Sequence, residues 1–304
     1  DGSDDTSFGV SGKIVKPLFG EKKPEAMAVD PVTKDYYIIG DDYGDTPYIV
    51  KFTAAGAVDN SFSGDGNFNP PPYNNAELWD VAVDEDQKVV IVGAVQPGGS
   101  SDDYAAMVWR LNSNGTLDTT FGPGGETNSG PGYVLLEHVL NTDQDEEARG
   151  LVLDNNNNIY VTGYATNAGG DQALVVWKLL GDQHGVLHLA WGSGGYVAIA
   201  DVLTAAAPVD RGDNLILDSS GNLLIVGTAH NGTDTDIVVI RMSPDGTLDN
   251  SFGTSGVYTG SDVLGFAGDD QGRNLALTST GSIIVLGLAK GSDGYNDAIV
   301  FKLD

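Results

Sequence analysis

Leu248-Asp249-Asn250-Ser251-Phe252-Gly253-Thr254-Ser255-Gly256 decides how this chain is read, because the same turn returns along its length. Leu117-Asp118-Thr119-Thr120-Phe121-Gly122 is a near copy, and Val58-Asp59-Asn60-Ser61-Phe62 a looser one. Leu187-His188-Leu189-Ala190-Trp191-Gly192 is a fourth, and Asp5-Thr6-Ser7-Phe8-Gly9 a fifth. Phe8, Phe62, Phe121, Trp191 and Phe252 lie 54, 59, 70 and 61 residues apart, and the step from Phe252 through Asp304 round to Phe8 is 60. A period this long marks one supersecondary unit per repeat, stacked on its neighbours to share a core.

Working outward from the turn, each copy reads as strands. A short apolar segment such as Val81-Ala82-Val83 or Leu215-Ile216-Leu217 opens it. A polar turn follows, then a run closing on glycine, as in Val90-Ile91-Val92-Gly93 and Leu224-Ile225-Val226-Gly227. A third run closes on a base, as in Val108-Trp109-Arg110 and Val239-Ile240-Arg241. After the aromatic turn comes a fourth, weaker run such as Gly132-Tyr133-Val134-Leu135-Leu136. Short β-branched and aromatic runs bounded by Gly, Asn and Asp are strand signals, and nothing holds a helical period for long. The expected fold is all-β: a five-bladed β-propeller with four antiparallel strands per blade. The blades fall at 21–72, 73–140, 141–204, 205–264, and 265–304 plus 1–20, within one domain spanning 1–304. The split copy implies closure of the ring by an N-terminal strand that completes the C-terminal blade and removes its open edge.

The Asp-x-x-Phe-Gly-x-x-Gly turn resembles the delta-60 repeat, a bacterial propeller repeat of large secreted and surface proteins, and the resemblance runs through all five copies. Departures are His188 and Trp191 in one turn and Ser63 where glycine is expected. The resemblance implies a propeller in a bacterial extracellular or cell-surface setting, of the adhesin type, and is tied to no single activity. Within the motif the residues read as structural: Asp oxygens for turn amides, the ring as a plug between blades, glycine for positive φ.

Forty-three acids against 15 bases give a formal charge of −28. That excludes a phosphate-tracking surface, which needs clustered Lys and Arg, so nucleic acid is not an expected partner. Cysteine is absent, which excludes disulfides and thiolate metal sites. No apolar run approaches the 18 or so residues of a membrane span. The polar opening Asp1-Gly2-Ser3 carries no signal-peptide pattern, so the expectation is a mature product or a monomeric domain of a longer chain.

Two sets of residues stand out as candidate sites. Asp41, Asp42 and Asp45, and Asp143, Asp145 and Glu146, offer several hard oxygen ligands within a few residues, the chemistry calcium requires. Calcium is therefore the candidate ion, and no organic cofactor is expected. The second set comes from aligning the first strands. One position reads Glu25, Trp79, Arg149, Asp213 and Arg273, and its neighbour Ala26, Asp80, Gly150, Asn214 and Asn274. Two steps further the copies agree again on Ala28, Ala82, Val152, Ile216 and Ala276. Paired charges and a tryptophan suit a small polar ligand, with Trp79 stacking on a sugar face. Ligand binding is assigned to Glu25, Trp79, Asp80, Arg149, Asp213, Asn214, Arg273 and Asn274. The leading expectation is a non-enzymatic module for a glycan or a cell-surface protein. A scaffold that presents a face to a protein partner is the alternative. A glycoside hydrolase using Glu25, Asp80 and Asp213 as catalytic carboxylates is a further one.

Overall fold

The computed structural model describes residues 2–14, 22–42, 47–64, 67–68, 76–96, 104–122, 129–137, 139–140, 145–181, 185–203 and 209–304. Its chain divides into two compact units, Asp1–Leu136 and Glu137–Asp304. In the first, β1 (Lys22–Val29), β2 (Tyr36–Asp42), β3 (Pro47–Phe52) and β4 (Asn67–Phe68) form one antiparallel sheet in chain order. A second sheet has β5 (Ala76–Val83), β6 (Val89–Val95), β7 (Ala105–Leu111) and β8 (Tyr133–Leu136).

The second unit opens with β9 (Glu146–Leu153), β10 (Ile159–Thr166) and β11 (Gln172–Leu180), whose outer edge carries both β12 (Val186–Leu187) and β13 (Tyr196–Ile199). β14 (Asp210–Leu217), β15 (Leu223–His230), β16 (Thr235–Met242) and β17 (Val257–Gly260) follow. A sheet of β18 (Gln271–Leu277), β19 (Ile283–Lys290) and β20 (Asn296–Leu303) ends the chain. The fold class is that expected: all-β, five antiparallel blades of a β-propeller, with no helix among the described residues. Strand number departs from a uniform four. The third sheet gains β12 because the Leu179–Leu187 pair, a single bridge at Leu111–Leu117 and Met242–Leu248, extends there to two residues. The last sheet has three strands, and residues 15–21, which the closing strand would need, lie outside the described residues.

In the second, third and fourth sheets the second and third strands are largely buried on both faces, which is why they read as continuous apolar runs rather than alternating ones. Tyr37, Ile39, Ile49, Phe62, Leu78, Ile91, Met107 and Trp109 form the core of the first unit. In the second unit Tyr160, Leu174, Val176, Trp191, Leu215, Ile225 and Ile240 pack together, and Val226, Val239, Leu275 and Val285 form a further cluster. Each such side chain contributes roughly 1.5–3 kcal/mol by leaving water.

The repeated turn is held as its residues require. Asp59, Asp118 and Asp249 each accept the amide two residues on through Oδ1, at 3.0, 3.1 and 2.9 Å. Oδ2 meets the base that closes the third strand: Lys51 Nζ at 2.9 Å, Arg110 Nε at 2.9 Å and Arg241 Nε at 2.6 Å. Asp and base thus form one repeated ion pair, which ties the turn to its blade. Where His188 replaces the aspartate, the Lys178 ammonium lies 4.8 Å from the Tyr160 ring centre instead. The aromatic residue bridges to the next sheet. Trp191 Nε1 donates to the Pro244 carbonyl at 3.0 Å, and beside Phe62 the Ser63 amide donates to the Asn114 carbonyl at 2.8 Å. Ser63 adopts φ 53, so it takes up the left-handed conformation of the glycine it replaces.

Asp118 is the most buried of these aspartates, and burial by itself would raise its pKa. The Thr120 hydroxyl, Lys88 and Arg110 outweigh burial and hold the carboxyl at about 2. A carboxyl held low contributes stability that is complete above its unfolded pKa near 4 and is lost as pH falls toward 2. Asp118→Ala leaves the buried Arg110 guanidinium without its counter-charge. A loss of about 3 kcal/mol is expected in urea unfolding at pH 7, with a smaller further loss between pH 4 and 2 than in the parent protein.

Candidate functional site

The first strand of every sheet carries a β-bulge, and all five bulges fall at one place. Pairing skips one residue between Pro24 and Ala26, between Leu78 and Asp80, between Ala148 and Gly150, between Gly212 and Asn214, and between Gly272 and Asn274. The extra residues are Glu25, Trp79, Arg149, Asp213 and Arg273, the set in which the copies diverge. A bulge leaves its residue outside the ladder and re-aims its side chain, which frees that position from the packing that fixes its neighbours.

The glycine closing each second run belongs to the same device. The second strands do not end there; they continue to Asp42, Val95, Thr166, His230 and Lys290. Gly40, Gly93, Gly163, Gly227 and Gly287 pair with the residue just before the bulge. A Cβ on any of them would fall on a first-strand carbonyl oxygen, that of Lys23, Glu77, Glu147, Arg211 or Gln271. Glycine is needed because the bulged backbone closes over it. The residue after the bulge steadies the kink: Asp80 Oδ1 accepts the Val81 amide at 2.8 Å, and Asn274 Oδ1 the Leu275 amide at 2.7 Å.

In the first unit the bulge residues are Glu25 and Trp79. Burial raises the Glu25 pKa, with the Asp41 charge adding and Lys23 opposing. Lys23 Nζ stands 3.5 Å from Asp41, and the Tyr48 hydroxyl is raised by burial and then by Asp41 and Glu25. The group is thus two carboxylates, one ammonium and a phenol.

In the second unit the three bulge residues meet. Asp213, with 5 % of its side chain exposed, receives Arg149 Nη1 at 3.9 Å, Arg211 Nε at 3.3 Å and Arg273 Nη1 at 4.0 Å. Its other oxygen accepts the Thr228 hydroxyl at 3.1 Å. Arg149 Nη2 pairs with Glu147 at 2.8 Å, and Arg273 Nη2 donates to Gln271 Oε1 at 2.6 Å. The Arg149 guanidinium lies 5.8 Å from the Tyr164 ring centre, and burial, followed by the Glu147 charge, pushes the Tyr164 hydroxyl up. Arg211 and Thr228 were not among the residues singled out by sequence, and Glu147 stood out only as the end of the acidic run Asp143-Gln144-Asp145-Glu146-Glu147. A usable signal was present, since each bulge residue is accompanied by the residue two before it. Lys23-x-Glu25, Glu147-x-Arg149 and Arg211-x-Asp213 are complementary pairs at that spacing.

Of the carboxylates chosen for calcium, Asp45 and Asp143 and the side chain of Asp42 lie outside the described residues. Asp41 faces Lys23 as above, and the Asp145 carbonyl accepts the Thr166 amide at 2.9 Å. Among the described residues no group of three or more His, Asp or Glu side chains gathers as a metal site would require. Glu146 opens β9 where Asp210 opens β14, with Ala165 and Ala229 as their partners. Asp270 immediately precedes β18. Asp210 Oδ2 accepts the Val202 amide at 2.8 Å, and Asp270 Oδ2 the Val263 amide at 3.1 Å, so acids here hold the incoming connection.

Burial pushes the Asp210 carboxyl up to about 6, against the amides of Val202 and His230. A carboxyl raised in the folded state favours folding when protonated, so its contribution falls as pH rises from about 4 through 6. Asp210→Asn is expected to flatten the stability–pH curve between pH 4 and 6 relative to the parent, as read by urea midpoints across that range.

A family model described as a domain of unknown function (DUF5122) beta-propeller matches residues 85–121 and 219–252. Each stretch runs from the first turn of a blade to its aromatic turn, so the match covers scaffold, stops short of half the chain and includes no bulge residue. No curated protein matches in sequence. A Bacteroides caccae protein of unknown function aligns with a TM-score of 0.54 at 10% identity, covering 95% of this chain and 80% of that one. A Dyadobacter fermentans protein of unknown function gives 0.54 at 10% identity, covering 95% and 82%. At that identity the likeness is one of fold alone. A GH43 endo-arabinanase from Bacillus licheniformis aligns at a TM-score of 0.45 with 14% identity over 96% of both chains, too loosely to carry an argument.

Proposed function

We propose that this chain is a non-enzymatic ligand-binding module of a bacterial secreted or surface protein, recognising polar ligands through its bulge residues. One observation carries the reading. The same backbone device occurs in all five blades while its side chain changes, being glutamate, tryptophan, aspartate and, twice, arginine, so the scaffold is kept while the presented chemistry varies. A scaffold role would leave that variation without a use. Hydrolysis requires two carboxylates on either side of one bond, one of them able to donate a proton. Asp213 is instead engaged by three guanidinium groups, and one oxygen of Asp80 is committed to its own bulge. Trp79→Ala is expected to weaken binding to its best ligand on a neutral-glycan panel by at least about tenfold, a typical loss for a truncated aromatic anchor. The melting temperature should not move. Unchanged binding by Trp79→Ala, or a panel with no ligand at all, would contradict the reading.

We further propose that the N-terminal segment supplies the fourth strand of the last sheet. Residues 5–13 reproduce the turn at 249–257: Phe8 N donates to Asp5 O at 3.0 Å and Gly12 N to Phe8 O at 3.0 Å, as Phe252 and Gly256 do at 2.9 Å each. Lys302 occupies the place of Arg241, whose partner is the turn aspartate, and pairs here with Asp304 at 2.7 Å. β20 leaves Val300 67% exposed, at the position where Val239 pairs with Tyr258. By that register Ile14 is the partner of Val300. In this cysteine-free chain an Ile14→Cys/Val300→Cys pair is expected to form an intramolecular disulfide on mild oxidation, seen by mass, and to raise the melting temperature. Thiols that stay reduced, or only intermolecular dimers, would contradict it.

A further inference from the structure

We infer that the arginine cluster of the second unit is a receptor for a carboxylate group, so that the ligand of this site is an acid. The inference rests on the ligand-binding reading and names the chemistry of one of its sites. Arg149, Arg211 and Arg273 stand against Glu147 and Asp213, an excess of one positive charge in a chain whose formal charge is −28. Glu147 answers Arg149 at 2.8 Å. Asp213 is one carboxylate shared by three guanidiniums at 3.3 to 4.0 Å, so it does not match any one of them in two short parallel bonds. Arg211 Nε is buried and makes no hydrogen bond within the described structure. Guanidinium is the group suited to such a task, since its planar fork matches a carboxylate in two parallel bonds.

The geometry also says where the acid enters. Arg273 is the most exposed of the three, with 42% of its side chain accessible against 18% for Arg149 and 20% for Arg211. Gln271 holds the Arg273 guanidinium in place through a neutral oxygen and so does not cancel its charge. Asp213 lies beneath as an internal carboxylate already bound by the same donors. It orients the guanidiniums and competes with the incoming acid. That double role has an unusual consequence: neutralising Asp213 should tighten binding.

Titration calorimetry of the full chain with sodium glucuronate and with sodium acetate tests this, with glucose and the methyl ester of glucuronate as neutral controls. Binding of both acids and neither control is expected for a site that reads the carboxylate alone; binding of glucuronate only would assign the acid to a sugar. Either supports the inference. Arg273→Gln should weaken binding about tenfold or more, and Arg273→Lys should fall between, because it keeps the charge and loses the fork. Asp213→Asn, which retains an acceptor for Thr228, should strengthen binding about tenfold. If that variant does not fold by near-ultraviolet circular dichroism, the two Arg273 variants decide. No carboxylate binding by the parent protein, or binding indifferent to Arg273→Gln, overturns the inference. The two levels separate cleanly. Trp79-dependent binding of neutral glycans without carboxylate binding would leave the general reading standing and remove this one. Arg273-dependent carboxylate binding without Trp79-dependent glycan binding would support this inference and would place ligand recognition at the bulge residues of the second unit alone.

Discussion

Glu25, Trp79, Arg149, Asp213 and Arg273 are placed by one steric relation: a bulged first strand whose carbonyl closes onto a glycine in the second. The backbone approach admits no Cβ, so the glycine returns in all five sheets. The same approach absorbs an extra residue into the first strand and lifts it out of the ladder. A position outside the ladder is released from the packing that makes its neighbours small or aliphatic. The bulge thus permits variation at Glu25, Trp79, Arg149, Asp213 and Arg273, and the chemistry presented there is free to follow the ligand.

Around that relation the rest of the fold supplies rigidity. In three of the turns the aspartate (Asp59, Asp118 or Asp249) engages both the amide two residues later and the base ending the third strand. The aromatic residue carries the turn across to the next sheet, as Trp191 does at Pro244. The Lys51–Asp59 and Arg110–Asp118 pairs are interior enough for loss of one member to be costly, whereas exposed pairs such as Lys13–Asp4 contribute little. The acids at Asp210 and Asp270 add a third tether, anchoring the connections that lead into β14 and β18. Excess negative charge is therefore partly structural, and the arginines of the second unit stand out against it.

Much of this was legible in the sequence. The spacing of Phe8, Phe62, Phe121, Trp191 and Phe252 gave the blade count, and alignment of the copies selected the five bulge residues before any geometry was known. The bulge itself was hidden, because the glycine of Val92-Gly93 or Val226-Gly227 reads equally well as the end of a strand. Strands continue past it because the carbonyl pressing on the glycine comes from a pairing that period and propensity do not encode. The convergence of Arg211 on Asp213 was missed for a related reason. A bulge shifts the alternation of a strand, so the face of a side chain cannot be counted from the strand's start. The calcium-type loops were chosen by composition, and Asp45, Asp143 and the side chain of Asp42 lie outside the described residues.

The coupling between glycine and bulge can be measured directly by a double-mutant cycle in β14 and β15. Gly227→Ala alone should destabilise the protein by about 1–3 kcal/mol, the usual range for forcing an atom into filled space. Deleting Asp213 removes the extra residue and lets Gly212 and Asn214 pair consecutively with Gly227 and Val226. If the bulge is what demands glycine, Gly227→Ala should cost far less in the deletion background than in the parent, as read by urea unfolding of all four proteins. Equal costs in the two backgrounds would mean that glycine and bulge are independent, and would contradict the account.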